Sequence, residues 1–276
     1  MRTTTLLALV ALLSNAGRTL AQNTPDENNP NLDAPFVRNI RADRPGQAIS
    51  AQVLRPGRFQ LETNFRSYRP GSGLGSLGTG ALLRIGFFNS MELRVSQSFQ
   101  HRGAALALGA EAQPQAAAAG WRPVVVGAKL MASPNYDTRT QVAVLVETAV
   151  PGTGAAGLRA TQLAPAARLL VSEQIGQRFG LEANFGFSQT GLTVAALERG
   201  PFMGALALNG PLGPKAGFFV EAYGSGRTAL ATGGTAGLSW RPAPALRLDL
   251  SAGRGIGGPL AGSVNVGAGA VLKLGR

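Results

Sequence analysis

From Arg58 onward the chain alternates apolar and polar side chains in segments of roughly ten residues, the length and period of a membrane-barrel strand. In the first segment Phe59, Leu61, Thr63 and Phe65 share one face, while Gln60, Glu62, Asn64 and Arg66 share the other. Met91, Leu93, Val95 and Phe99 stand against Glu92, Arg94, Ser96, Ser98 and Gln100. The scheme recurs with Val142, Val144, Val146 and Val150 against Gln141 and Glu147, and with Phe179, Leu181, Ala183, Phe185 and Phe187 against Glu182 and Asn184. Near the end Leu246, Leu248 and Leu250 oppose Arg247 and Asp249; Val264, Val266, Leu272 and Leu274 oppose Asn265 and Lys273.

A soluble β-sandwich also alternates, so two further features carry the choice. Many polar-face positions are charged beside Leu, Val or Phe, which suits an apolar outer face around a polar lumen. The connections also alternate in length. Long ones fall at 67–78, 101–121, 151–162, 188–200, 224–234 and 254–262, and short ones at Asn89–Ser90, 133–139, 174–177, 210–216 and 241–245. The expected fold is all-β, a transmembrane antiparallel up-and-down barrel of about 12 strands over residues 57–276. An even count returns both termini to the periplasm, and closure satisfies the edges that lipid cannot.

Residues 1–21 read as a cleaved signal peptide: Met1-Arg2 supplies positive charge, Leu6 to Leu13 an apolar stretch, and Thr19-Leu20-Ala21 small residues before a cut. Cleavage after Ala21 is preferred, with Ala16 the alternative. Residues 22–56 are expected as a loose periplasmic segment, since Gln22 to Pro30 is polar and turn-prone without either period. For Phe36 to Gly57 two placements stay open, folded inward or lying at the barrel mouth.

Composition narrows the chemistry. The absence of Cys removes thiolate metal sites, disulfides and Cys nucleophiles together. With Gly at 38 and Pro at 17 residues, short strands and turns are favoured over helices. The formal charge is +12, falling to +10 once Arg2 and Arg18 leave with the signal, and it attracts polyanions. No basic run with interleaved aromatics appears, so nucleic acid is not expected as a partner and anionic lipid is. Aromatics are only 6%, so the interfacial girdles of a barrel should be thin.

Ala42-Asp43-Arg44-Pro45-Gly46 and Pro56-Gly57-Arg58-Phe59-Gln60-Leu61-Glu62 resemble the start of a family of outer-membrane transporters linked to the meta-cleavage pathway of phenol degradation. Leu83-Arg84-Ile85-Gly86, Met91-Glu92-Leu93-Arg94, Gly127-Ala128-Lys129 and Pro151-Gly152-Thr153 continue the likeness in order. The resemblance implies an outer-membrane barrel with a transport role.

Lumen-lining candidates are Gln60, Glu62, Asn64, Arg66, Arg84, Glu92, Arg94, Lys129, Glu147, Glu182, Glu221, Arg247, Asp249 and Lys273. Mixed charges could orient polar solutes across a channel, or pair across strands and fill a narrow barrel. Twelve strands lie between a side-chain-filled barrel and an aqueous porin, so an open and a plugged lumen both stand. Arg69, Arg102, Arg159, Arg199, Arg227 and Arg254 recur in the outer loops as contacts for surface-glycolipid phosphates, or as ordinary solvated loop charge.

Gly73-Leu-Gly75-Ser-Leu-Gly78 has a nucleotide-binding glycine spacing but no following helix, so it reads as turn composition. His101, the one His, is too little for a metal site and is expected to be incidental rather than part of a hydrolase. No cofactor and no enzyme activity are expected. The leading function is a channel for small solutes, hydrophobic or aromatic ones included; the alternative is a closed structural or surface-interaction barrel.

Overall fold

In the computed structural model the described residues are 42–43, 46–71, 75–101, 119–132, 139–176, 178–188, 202–226 and 230–274. The signal peptide and residues 22–41 lie outside them, as do Arg102, Arg199 and Arg227. Among the described residues no helix is long and apolar enough to cross a membrane.

The strands are β1 (Phe59–Arg69), β2 (Ser76–Phe88), β3 (Met91–Gln100), β4 (Gly120–Trp121), β5 (Val125–Met131), β6 (Thr140–Ala149) and β7 (Ala164–Ile175). They continue with β8 (Phe179–Ser188), β9 (Phe202–Pro211), β10 (Ala216–Gly226), β11 (Ala231–Ala243), β12 (Leu246–Gly257) and β13 (Val264–Leu274). Apart from β4 and β5, chain neighbours pair antiparallel, and β1 pairs with β13 from Phe59↔Leu274 to Arg69↔Val264. The sheet is thereby closed. The short β4 and β5 both pair with β3 and form one interrupted strand, so the ring has twelve.

Burial separates the faces. In β1 Gln60, Glu62 and Tyr68 are buried while Phe59 and Phe65 are exposed. Following the register, Phe185, Leu206, Leu238 and Leu250 also face outward, and Leu250 is 64% exposed. Such large apolar side chains are stable when lipid replaces water around them. The aromatics, few as they are, gather at the ends of this band: Phe59, Phe179 and Trp240 at the short-turn end, Trp121, Phe187 and Phe202 at the other. Trp121 meets Phe99 edge-on at 5.2 Å between ring centroids. The thin girdles are economical in number but placed where amphipathic rings sit best.

Both ends of the sheet, Phe59 and Leu274, fall on the side of the short turns. A 3-10 turn over Gly258–Leu260 opens the connection from β12 to β13 on the long-loop side. Gly57, at φ 74°, lets the chain reverse into β1 in a conformation that side chains with a Cβ disfavour.

Candidate functional site

The lumen is occupied by the chain itself. Residues 42–43 and 46–56 run inside the barrel, so the loose segment expected over 22–56 does not extend through them, and the inward placement holds for the described part. Wall side chains hold this plug by its backbone, which has no strand ladder of its own. The Gln47 and Ala48 N–H groups donate to Glu221 Oε2 on β10, at 2.6 and 2.7 Å. Asn184 on β8 is bonded to Ile49 in both directions: the Ile49 N–H donates to Oδ1 (2.6 Å) and Nδ2 donates to the Ile49 carbonyl (2.8 Å). The Ala51 N–H donates to Ser172 Oγ on β7 at 2.9 Å, and the Leu54 N–H to Glu92 Oε2 on β3 at 3.0 Å. The plug thus crosses to β10 and returns past β8, β7 and β3.

Apolar packing reinforces the path. Ile49, Ala51 and Val53 form a buried cluster with Met131, Ala143, Leu145 and Leu170 on the inward faces of β5, β6 and β7. Each of the larger side chains contributes roughly 1.5–3 kcal/mol when fully buried. Beside Gly86 on β2 the plug leaves for β1: the Gly57 N–H donates to the Gly86 carbonyl at 3.0 Å, and the Gly86 N–H to the Arg58 carbonyl at 2.9 Å. A Cβ on Gly86 would stand 1.9 Å from the Arg55 carbonyl oxygen, so only glycine allows this approach.

The first described turn of the plug carries the charge. The Asp43 carboxylate is bonded to Arg94 Nη1, lies 3.0 Å from Lys129 Nζ and 3.6 Å from Arg84 Nη1. Its backbone N–H donates to both oxygens of Glu62, at 3.2 and 3.0 Å. Arg84 in turn grips Glu92 through Nε (2.8 Å) and Nη2 (2.7 Å) and reaches Glu62 at 3.1 Å. Arg94 joins Glu92 at 3.0 Å and Glu147 at 3.1 Å. Lys129 also donates to the Ser50 and Gln52 carbonyls, at 3.0 and 3.2 Å. Burial works against a charge on Asp43, and Arg84, Lys129 and Arg94 outweigh it, holding the carboxyl well below the usual carboxylate range.

Every lumen candidate read from the sequence lies on the inward set of the register. Glu62, Arg84, Glu92, Arg94, Lys129 and Glu147 converge on the Asp43 network, and Gln60 Nε2 donates to Glu62 at 2.9 Å. Glu221 binds the plug, and Arg247 pairs with its strand neighbour Asp249 at 2.8 Å. Asn64, Arg66, Glu182 and Lys273 are half-buried elsewhere on the same face. Above the plug a recess is lined by Gln47, Arg168, Asn184, Met203, Ala205, Tyr223 and Ser225. The outer-loop candidates divide: Arg69 and Arg254 end up on strands and Arg159 in the loop between β6 and β7, all exposed. His101 packs edge-on against Phe99 at 4.8 Å.

Sequence reasoning missed Asp43 and the inward Leu145 and Leu170. Asp43 stood inside a quoted motif, but a lone Asp between Ala42 and Arg44-Pro45-Gly46 carries no period. Leu145 sits in the apolar run Val142 to Val146, where polarity gives no sign of which side faces in.

A model of the family described as "Putative MetA-pathway of phenol degradation" matches residues 42–259, starting one residue before Asp43. An outer membrane channel from Pseudomonas putida F1 superposes with a TM-score of 0.62 at 11% identity, over 84% of this chain and 99% of that one. The NanC porin gives 0.55 at 9% identity over 78% and 100% of the two chains. The KdgM porin in complex with disordered oligogalacturonate gives 0.53 at 8%, over 76% and 98%. At such identities the likeness is one of fold. No curated protein sequence matches the chain. Family and fold together make it an outer-membrane β-barrel of the channel type.

Proposed function

The chain belongs to the phenol-degradation MetA-pathway family, and from that premise we propose that it passes small solutes, hydrophobic and aromatic ones included, across the outer membrane. Residues 42–43 and 46–56 are the described element that occupies its lumen in this conformation. The observation that carries the reading is how the plug is held: by backbone groups bonded to wall side chains, without a ladder that would make it a strand of the sheet. Such bonds can be exchanged for water when the plug moves, while the barrel hydrogen bonds stay intact. The KdgM porin, of like fold, holds an oligogalacturonate, which supports reading a lumen of this kind as a solute path.

A second reading, a closed structural barrel, draws on the same plug, because its charged network and its apolar cluster are both complete within the chain. Planar-bilayer recordings separate the two. The solute-channel reading expects brief, small conductance steps from the full protein and sustained, larger ones from a variant lacking residues 42–54. Silence from both, with folded barrels shown by heat-modifiable gel mobility, would establish the closed structural role instead.

A further inference from the structure

The outward face of the barrel strands carries only three charged residues among the described positions. Glu173 lies at the short-turn end beside Arg139, at 3.1 Å. The other two, Arg69 at the end of β1 and Arg254 on β12, lie together at the long-loop end. Both are Cα partners of the same residue, the outward Val264, which pairs with Arg69 on one side and Arg254 on the other. Two strand spacings separate them, about 10 Å, so their side chains can converge over Val264 on one group. Both are exposed, and no carboxylate shares the outward faces of β1, β12 and β13.

Directly below, the exposed Val266 stands between the small side chains of Ser67 and Ala252, and on the next rung Ala268 lies between the exposed Phe65 and Leu250. A pair of cations at the rim above this apolar surface has one complementary occupant at that depth, a lipid with phosphate in its headgroup and acyl chains beneath. Scattered loop charge would not place two arginines on one rung of a lipid-facing surface, where an uncompensated charge is costly.

We propose that Arg69 and Arg254 clamp the phosphate of an outer-leaflet glycolipid, with its acyl chains lying along the Ala252–Ala268 surface. Each guanidinium offers forked donors that match phosphate oxygens, and the two share the charge. This binding is independent of whether the lumen conducts.

The test is native mass spectrometry and binding titration of the full protein in detergent. Three probes are used: lipopolysaccharide with its phosphates intact, the same lipid after phosphatase treatment, and inorganic phosphate. The clamp predicts retention of the phosphorylated lipid, with a loss of roughly tenfold or more in Arg69→Gln/Arg254→Gln and partial recovery in Arg69→Lys/Arg254→Lys. Heat-modifiable mobility identifies the folded fraction, and only that fraction is titrated. Equal binding by the double Gln variant, or by the dephosphorylated lipid, would overturn the proposal. So would inorganic phosphate binding as tightly as the lipid.

Discussion

Asp43 is one carboxylate among many charges, and it carries the plug's acid into the wall cluster. The wall supplies Arg84, Arg94 and Lys129 against Glu62, Glu92 and Glu147, an even count before Asp43 arrives. Its removal therefore leaves no isolated buried charge, because Arg94 keeps Glu92 and Glu147 while Lys129 keeps two plug carbonyls. The plug itself loses the ionic tie that Asp43 makes to Arg94 and Lys129. Asp43→Ala is expected to weaken docking by about 1.5–3 kcal/mol, the range for hydrogen bonds to charged groups, since no buried charge is left without a partner. The chain has no cysteine, so Ile49→Cys provides a clean reporter of plug exposure. A membrane-impermeant maleimide should label that thiol much faster when Asp43→Ala is added, and an unchanged rate would mean that the backbone bonds alone hold the segment.

At the scale of elements, the strands were legible and the plug was not, for different physical reasons. A barrel strand is defined by a period of two that the environment enforces on both faces, so Phe59 to Arg66 announces itself without any partner in view. The connections fall on the two sides of the barrel in the order read from the sequence, although the β10–β11 connection (227–230) is no longer than the β9–β10 one (212–215). Residues 46–56 have no period, because their conformation is imposed by Glu221, Asn184, Ser172 and Glu92 from outside. The charged wall residues could be placed on a face, but which of them meet depends on Asp43. Gly86 shows the same dependence: in the sequence it is one glycine in a strand, and in the fold it is the gap through which the plug exits. In Gly86→Ala the new methyl would collide with three backbone atoms of Leu54 and Arg55, and no rotamer change relieves that. The strand can keep its ladder while residues 54–57 are pushed off, so bilayer conductance should rise with heat-modifiable mobility unaltered. Conductance identical to the parent protein would show that the exit can shift without loosening the plug.

The whole molecule sets a charge balance that decides what an opened lumen would prefer. The inward face of the described strands carries at least seven cations, Arg66, Arg84, Arg94, Lys129, Arg168, Arg247 and Lys273, against six acids, Glu62, Glu92, Glu147, Glu182, Glu221 and Asp249. Asp43 docks one further acid among them. Removing residues 42–54 takes Asp43 and Arg44 away together, with no net change of charge, and uncovers Arg84, Arg94 and Lys129 along with Glu62 and Glu92, all of them buried while the plug is docked. Charges lining a narrow aqueous path act on every ion that passes, and their effect weakens as salt shortens the screening length. The variant without the plug should therefore favour anions over cations relative to the parent. Reversal potentials across a potassium chloride gradient report this directly, and the shift should shrink as both baths are made more concentrated. A cation preference in the unplugged barrel would mean that Glu182 and Glu221, across the lumen from the Arg84 cluster, dominate the path that ions take.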